Sequence, residues 1–158
     1  MKITILSVGK IKEKYFTEAI NEYEKRISKY ALIDNITIPD EPAKIEGNIA
    51  LENEAMDIEG KKIIKSIPKG SLVIVLDIKG EALDSVSFSK KLEEFMNQNS
   101  HLTFIIGGSY GLSDEVKKIA DYKLSFSHMT FPHMLMKVIL TEQIFRAFKI
   151  LKNEKYHK

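Results

Sequence analysis

Glycine, hydroxyl and aromatic residues that could bind a small ligand follow two short apolar runs in the second half of the chain. The first run, 102–106, leads into GGSYG at 107–111. The second, 122–126, leads into SHMTF at 127–131, and Pro132-His133 comes next. In open α/β sheets, ligands bind in the crevice beyond the carboxyl ends of the strands. We therefore expect these two loops to hold a small-molecule cofactor.

The glycine-rich loop at 107–111 does not match the common nucleotide-binding motifs. Ser109 stands where the dinucleotide fingerprint G-x-G-x-x-G has its second glycine, and no Gly-Lys-Ser/Thr follows as in a P-loop. Glycine lets backbone N–H and C=O groups approach a ligand closely, so the loop could read the edge of a nucleobase. A tight turn without a ligand explains these residues equally well.

The segment from Phe126 to Phe131 favours a ligand more strongly. It places two aromatic residues, a methionine and two hydroxyls within six residues, between an expected strand and an expected helix. A purely structural connection is more often small and polar. The alternative is that Phe126 and Phe131 belong only to the core under the following helix.

Two further groups could take part in chemistry or in binding. His133 follows the second loop, where a neutral imidazole could accept a proton, although a lone histidine is more often structural. No second histidine or carboxylate stands near it at metal-ligand spacing, so we predict no metal site. The chain ends in NEKYHK at 153–158, which could grip RNA by stacking and phosphate contacts, or could simply be frayed.

Charge is segregated along the chain although the net charge is only +2. Residues 133–158 include six Lys or Arg and two acidic residues, whereas residues 40–60 include seven acidic residues and one Lys. The basic end could form a patch for an anionic partner, or both runs could be ordinary solvated helix faces. The absence of cysteine excludes disulfides and thiolate metal sites.

Apolar periodicity predicts strands that alternate with helices, and hence an α/β fold. Because such alternation is typical of parallel sheets, we expect a mostly parallel sheet with helices on both faces, in one domain covering 1–158. The third strand should end at Lys79-Gly80, and Ser85 is the expected N-cap of the next helix. No apolar run is long enough to span a bilayer, and the first residues read as a strand, so we expect a cytoplasmic protein without membrane contact. The predicted strands are 2–8, 32–38, 71–78, 102–106 and 122–126, and the predicted helices are 12–29, 49–67, 85–97, a short one after Ser113, and 132–151.

Six segments, in this order along nearly the whole chain, resemble the ribosomal RNA large subunit methyltransferase H family of the SPOUT class. They are MKITILSVGK, VIVLDIKG, FIIGGSYGL, LSFSHMTFPH, LTEQIFRAFKI and the terminal KYHK. The resemblance implies a homodimer whose C-terminal part forms a trefoil knot. It also implies methyl transfer from S-adenosylmethionine to N3 of a pseudouridine, at position 1915 in the family, of 23S ribosomal RNA in the large subunit or the assembled ribosome.

The same resemblance implies roles for individual residues. His133 is the expected base that removes the N3 proton, with Tyr156 and His157 as rivals, while His128 should contribute backbone contacts only. The cofactor-binding residues implied are Leu76, Gly107, Phe126, Ser127, His128, Met129, Thr130 and Phe131. The RNA-binding residues implied are Lys10, Lys12, Lys14, Lys137, Arg146 and Lys158.

Two other functions fit the same residues. A non-catalytic module could bind the ribosome through the basic end alone, and it would show RNA affinity without cofactor affinity. A related methyltransferase could act on transfer RNA instead. A measurement of cofactor binding distinguishes the non-catalytic module from the enzyme. An assay of methyl transfer onto ribosomes and onto transfer RNA distinguishes the two methyltransferases.

Overall fold

The computed structural model describes residues 1–157 and is built on one five-stranded parallel sheet. The strand order is β2-β1-β4-β3-β5, and every neighbouring pair is parallel, which confirms the predicted fold class. The strands are β1 (Lys2–Val8), β2 (Leu32–Ile38), β3 (Leu72–Ala82), β4 (His101–Ile106) and β5 (Tyr122–Ser125). The helices are α1 (Lys14–Ile27), α2 (Ile49–Ser66), α3 (Ser85–Gln98), α4 (Asp114–Lys118) and α5 (His133–Leu151).

Most residues of β1 and β4 and the first four residues of β3 are buried, so these three central strands are covered on both faces. On one face, Ile74 and Phe104 pack in a core with residues of α1, α3 and α5. On the other face, Val75 and Ile105 pack with residues of α2 and α4. Helices therefore cover both faces, as the sequence predicted. Among residues 1–157, no helix is both long and apolar enough to cross a membrane.

Two predicted boundaries near the end of β3 are wrong. β3 continues past Gly80 to Ala82, because its pairing with β5 shifts in register between Leu76 and Glu81 and then resumes. Gly80 permits this close approach, since a Cβ atom there would lie 2.7 Å from the Lys123 backbone. The N-cap of α3 is Asp84, whose side chain accepts a hydrogen bond from the Ser87 N–H at 2.7 Å.

The last helix returns across the sheet from one edge towards the other. β5 lies at the edge beside β3, yet the first residue of α5, His133, lies against Gly9 at the end of β1. α5 then packs between α1 and α3. The carboxyl ends of β1, β3, β4 and β5 and the beginning of α5 consequently meet at one end of the molecule.

Candidate functional site

A cavity of about 450 Å³ lies where these strand ends meet. Its volume falls within the range of roughly 300–1,000 Å³ that is typical of small-molecule sites. The wall is formed by the middle of β3, the glycine loop (107–111), α4, the β5–α5 loop (126–132) and the first turn of α5. Eight residues singled out from the sequence line it together: Leu76, Gly107, Phe126, Ser127, Met129, Thr130, Phe131 and His133.

The glycine loop is both a tight turn and part of the cavity wall, so the two readings of its sequence are compatible. The Gly111 N–H donates to the Gly108 carbonyl at 3.1 Å, and Gly111 has a φ of +85°, which favours glycine. A Cβ atom at Gly107 would lie 2.8 Å from the Gly111 carbonyl carbon. The loop can therefore be this tight only without a side chain at position 107, which leaves backbone groups next to the cavity.

The β5–α5 loop is held in shape by its own hydroxyl groups. Ser125 Oγ donates to the Ser127 carbonyl at 3.2 Å, and Ser127 Oγ accepts from the Met129 N–H at 3.0 Å. Phe126 packs edge-on against Phe88 of α3, with ring centroids 6.3 Å apart, so it belongs to the core as well as to the cavity wall. His128 is exposed and does not line the cavity.

His133 lies in the cavity wall and fills the space that Gly9 leaves free. A Cβ atom at Gly9 would lie 2.8 Å from His133 Nε2, and Gly9 has a φ of +91°. Nε2 is buried and has no hydrogen-bond partner among residues 1–157. Gly9 in the β1–α1 connection and His133 at the start of α5 therefore pack directly against each other.

Charged residues that the sequence reasoning missed also line the cavity. Asp77 follows Leu76 directly and forms an ion pair with Lys117 of α4, with 3.3 Å between Oδ2 and Nζ. The Asp77 side chain is only 7% exposed. A carboxylate within the otherwise apolar run SLVIVLDI was the available signal for Asp77. Nothing in the sequence pairs it with Lys117, because the contact depends on how α4 is placed.

The C-terminal tail is docked on α5 instead of being frayed. Tyr156 donates a hydrogen bond to Glu142 Oε1 at 3.1 Å and packs edge-on against Phe145. The Arg146 guanidinium lies over the Tyr156 ring at 4.6 Å from its centroid, and its Nη1 lies 3.4 Å from His157 Nδ1. Arg146 is thirteen residues beyond His133, about 20 Å along the helix. Within one chain, the predicted catalytic residues therefore form two separate groups.

The predicted RNA-binding residues have different surroundings. Lys10 and Lys12 between β1 and α1, and Lys14 at the start of α1, are exposed at the end of the sheet where the cavity lies. Lys137 is buried, with 6% exposure, and this burial lowers the pKa of its amino group although Glu24 partly opposes the effect. In this conformation α5 packs against α1 and leaves the amino group little access to a phosphate, and the role of Lys137 in RNA binding stays a prediction. Arg146 already contacts the Glu142 carboxylate, and Lys158 lies outside the described residues.

Comparison with known proteins identifies the class. A family model described as "Predicted SPOUT methyltransferase" matches residues 1–157. The chain therefore belongs to the SPOUT methyltransferase family, and it is an enzyme of the methyltransferase class. Among residues 1–157, the structure brings together no group of three or more His, Asp or Glu side chains that could hold a metal ion.

Relatives over the full chain narrow this class further. The chain is 52% identical over 159 residues to "Ribosomal RNA large subunit methyltransferase H" of Ruminiclostridium cellulolyticum, and the match covers the whole of both chains. It is 52% identical to the protein of that name from Alkaliphilus oremlandii and 51% identical to a "Putative ribosomal RNA large subunit methyltransferase H" of Methanococcus maripaludis, again over both whole chains. These relatives confirm the family resemblance seen in the sequence.

The docked tail leads to a prediction for Tyr156. Burial, followed by the neighbouring Glu142 carboxylate, raises the pKa of Tyr156 to about 12. Since a phenol normally titrates near pH 10, the docked tail should lose stability as the pH rises from about 10 through 12. Glu142→Gln removes the carboxylate charge and should lower the pKa of Tyr156. An NMR titration of the Tyr156 ring measures this pKa in the unmodified protein and in Glu142→Gln. A Tyr156 that titrates near pH 10 in the unmodified protein would contradict the docked arrangement.

Proposed function

We propose that this protein transfers a methyl group from S-adenosylmethionine to N3 of a pseudouridine in 23S ribosomal RNA. The observation that carries the proposal is the convergence of Leu76, the glycine loop and the β5–α5 loop on one cavity. The names of the full-length relatives support ribosomal RNA as the substrate. In this proposal residues 1–158 form one SPOUT domain, acting in the cytoplasm where ribosomes are found.

The residues of the cavity fit a methyl donor that carries a nucleoside. Backbone N–H and C=O groups of the glycine loop can satisfy the edge of a nucleobase, because glycine allows them to approach it closely. Leu76, Phe126 and Met136 provide apolar surface, and Asp77 and Lys117 add one acidic and one basic group. Such a wall suits a ligand with a flat base, an apolar part and charged groups.

When bound, S-adenosylmethionine supplies a methyl group attached to a positively charged sulfonium, whose sulfur is a good leaving group because it departs as a neutral thioether. The protein then has to align the target nitrogen with the methyl–sulfur bond, to exclude water and to accept the N3 proton. His133 is the proposed proton acceptor because, among residues 1–157, it is the one histidine in the cavity wall. Tyr156 and His157 remain rival candidates for this role.

We also propose that two copies of the chain complete the site. In one chain Tyr156 and His157 lie about three helical turns away from the position of His133, so a docked tail does not reach its own cavity. A second copy could bring its tail to the cavity of the first. Tyr15 of α1 is 66% exposed and offers apolar surface for such a contact.

The β5–α5 loop passes across the strand ends to Gly9, and we propose that this segment is threaded in the knot.

The RNA is proposed to approach the end of the sheet that carries the cavity. Lys10, Lys12 and Lys14 are exposed there and could neutralise phosphates around the target base. Arg146 and Lys158 would add contacts from the C-terminal end, with Arg146 exchanging its Glu142 partner for a phosphate. This arrangement places the reacting base between a positively charged rim and the cofactor cavity.

Transfer of labelled methyl groups tests the function directly. The protein is incubated with methyl-labelled S-adenosylmethionine and, in separate reactions, with 23S RNA, large subunits, assembled ribosomes and bulk transfer RNA. We expect label in 23S RNA of a ribosomal substrate, and mass spectrometry should locate it on N3 of a pseudouridine. Label only in transfer RNA would favour the related enzyme, and RNA binding without cofactor binding would favour the non-catalytic module.

Gly107→Val should strongly weaken binding of S-adenosylmethionine. The added side chain has no room beside the Gly111 backbone, so the loop must move into the cavity or away from it. Calorimetry measures the loss, which we expect to exceed about tenfold in dissociation constant, equivalent to about 1.4 kcal/mol. Asn97→Val on the exposed end of α3 is the matched control and should bind normally. Unchanged affinity in a folded Gly107→Val protein would place the cofactor elsewhere.

His133→Ala should lower turnover by roughly a hundredfold or more, the usual contribution of a proton acceptor. Cofactor affinity should stay within about threefold, because backbone groups and apolar residues supply most of the cavity wall. His133→Asn keeps a polar side chain that cannot take up a proton, and it should be as slow as the alanine variant. Recovery of activity in His133→Asn would show that the ring has only a structural role.

A further inference from the structure

Glu59 of α2 is a buried acidic residue that has no role in the proposed chemistry. Only 2% of the residue is exposed, although it lies in an otherwise strongly acidic and largely exposed part of the chain. Its Oε1 accepts a hydrogen bond from the Glu41 N–H at 2.8 Å. Its Oε2 is also buried and has no hydrogen-bond partner among residues 1–157. Such an arrangement is costly for a charged carboxylate, so its presence calls for a physical reason.

The unpartnered oxygen lies behind the glycine loop. A Cβ atom at Gly108 would lie 3.3 Å from Glu59 Oε2 and 3.0 Å from Val8 Cγ1. Gly108 itself lines the cavity, whereas Glu59 does not. The carboxyl group therefore contacts the side of the loop that faces away from the cavity.

Two neighbouring contacts attach the glycine loop and the start of α4 to α2 and to the β2–α2 connection. A Cβ atom at Gly60 would collide with Ser113 Oγ, so α2 packs directly on the residue that caps α4. The Tyr110 hydroxyl accepts a hydrogen bond from the Ala43 N–H at 3.3 Å. The glycine loop thus lies between the cavity and a layer that contains Glu59.

We infer that Glu59 is a positioning residue, whose buried carboxyl group holds the glycine loop in the shape that accepts the methyl donor. The inference rests on the proposed function, because it takes the cavity to be the cofactor site. Glu59 itself lies on the other side of the glycine loop from the cavity, so it would contact neither the cofactor nor the RNA and would act through the loop. Cofactor affinity should then depend on the state of this one carboxyl group.

The surroundings of Glu59 favour its protonated form. Burial raises the pKa of Glu59 most strongly, and the Asp40 and Glu41 carboxylates raise it further, against the opposing effects of the Glu41 N–H and Lys62. Lys62 is itself paired with Glu41, at 3.0 Å. Gly108 of the glycine loop lies next to the carboxyl group, and Val8 of β1 lies next to Gly108.

The direction of the pH dependence follows from this raised pKa. The folded protein holds the proton more tightly than the unfolded chain, so the neutral carboxyl is favoured at low pH. As the pH rises above the ordinary pKa of glutamate, Glu59 loses its proton in the unfolded chain before it does so in the folded protein. The folded protein therefore becomes less stable relative to the unfolded chain until the pH passes the raised pKa of Glu59 in the folded state. A glutamine at this position resembles the neutral acid and does not titrate.

The test compares dissociation constants for S-adenosylmethionine between pH 5.5 and 9 in the full chain. Glu59→Gln should match the unmodified protein at the low end, where the carboxyl group is protonated, and should bind several-fold more tightly at the high end, where the carboxyl group is charged. The ratio of the two constants at each pH cancels the titration of the cofactor itself. Glu59→Ala should bind about tenfold more weakly at every pH, and Glu54→Gln, on the exposed side of α2, should follow the unmodified protein. A ratio that does not change with pH, or a folded alanine variant with normal affinity, would overturn the inference.

Hydrogen exchange of the loop amides provides a second measurement that needs no cofactor. Amides of residues 108–112 should exchange more slowly in Glu59→Gln than in the unmodified protein at high pH, with the difference vanishing at low pH. Equal exchange in both proteins throughout would overturn the role of Glu59. If the protein bound no S-adenosylmethionine while the exchange difference appeared, the proposed function would fail and the control of the loop by Glu59 would stand.

Discussion

Parallel pairing of β3 with both β4 and β5 is the constraint on which the cavity depends. β4 precedes β5 in the chain, yet β3 lies between them in the sheet. The loop that follows β4 and the loop that follows β5 therefore emerge on either side of Leu76, at the carboxyl ends of the strands. If β5 were paired with another strand, the glycine loop and the β5–α5 loop would not face each other across a cavity of this size.

The glycines of this region serve that arrangement by permitting close backbone approaches. Gly80 allows β5 to come within contact of the β3 backbone, Gly107 allows the loop to fold back on Gly111, and Gly9 makes room for the His133 ring. Each would meet a neighbouring atom at 2.8 Å or less if it carried a Cβ atom. The part of the cavity wall formed by the glycine loop is consequently made of backbone and fixed by sterics, which suits a ligand that is recognised in part through backbone groups.

The strands and the two loops of the cavity could be predicted from the sequence because each depends on residues that are neighbours in the chain. Alternation predicted β1, apolar runs predicted β3 and β4, and the glycine and hydroxyl residues after β4 and β5 predicted the two loops of the cavity. The extension of β3 beyond Gly80 and the burial of Lys137 were missed, since each depends on a neighbour that is distant in sequence, Lys123 in one case and helix α1 in the other. The Asp77–Lys117 pair and the contact of Glu59 with Gly108 depend in the same way on how α4 and α2 pack.

The central claim is that three segments distant in the chain form one pocket for a methyl donor. Backbone amide NMR spectra recorded during addition of S-adenosylmethionine test it most directly, because each segment reports separately. We expect the signals of Leu76, Gly107 and residues 126–131 to shift together and to give one common dissociation constant. Shifts confined to one of these segments, or found on another surface of the protein, would contradict the account.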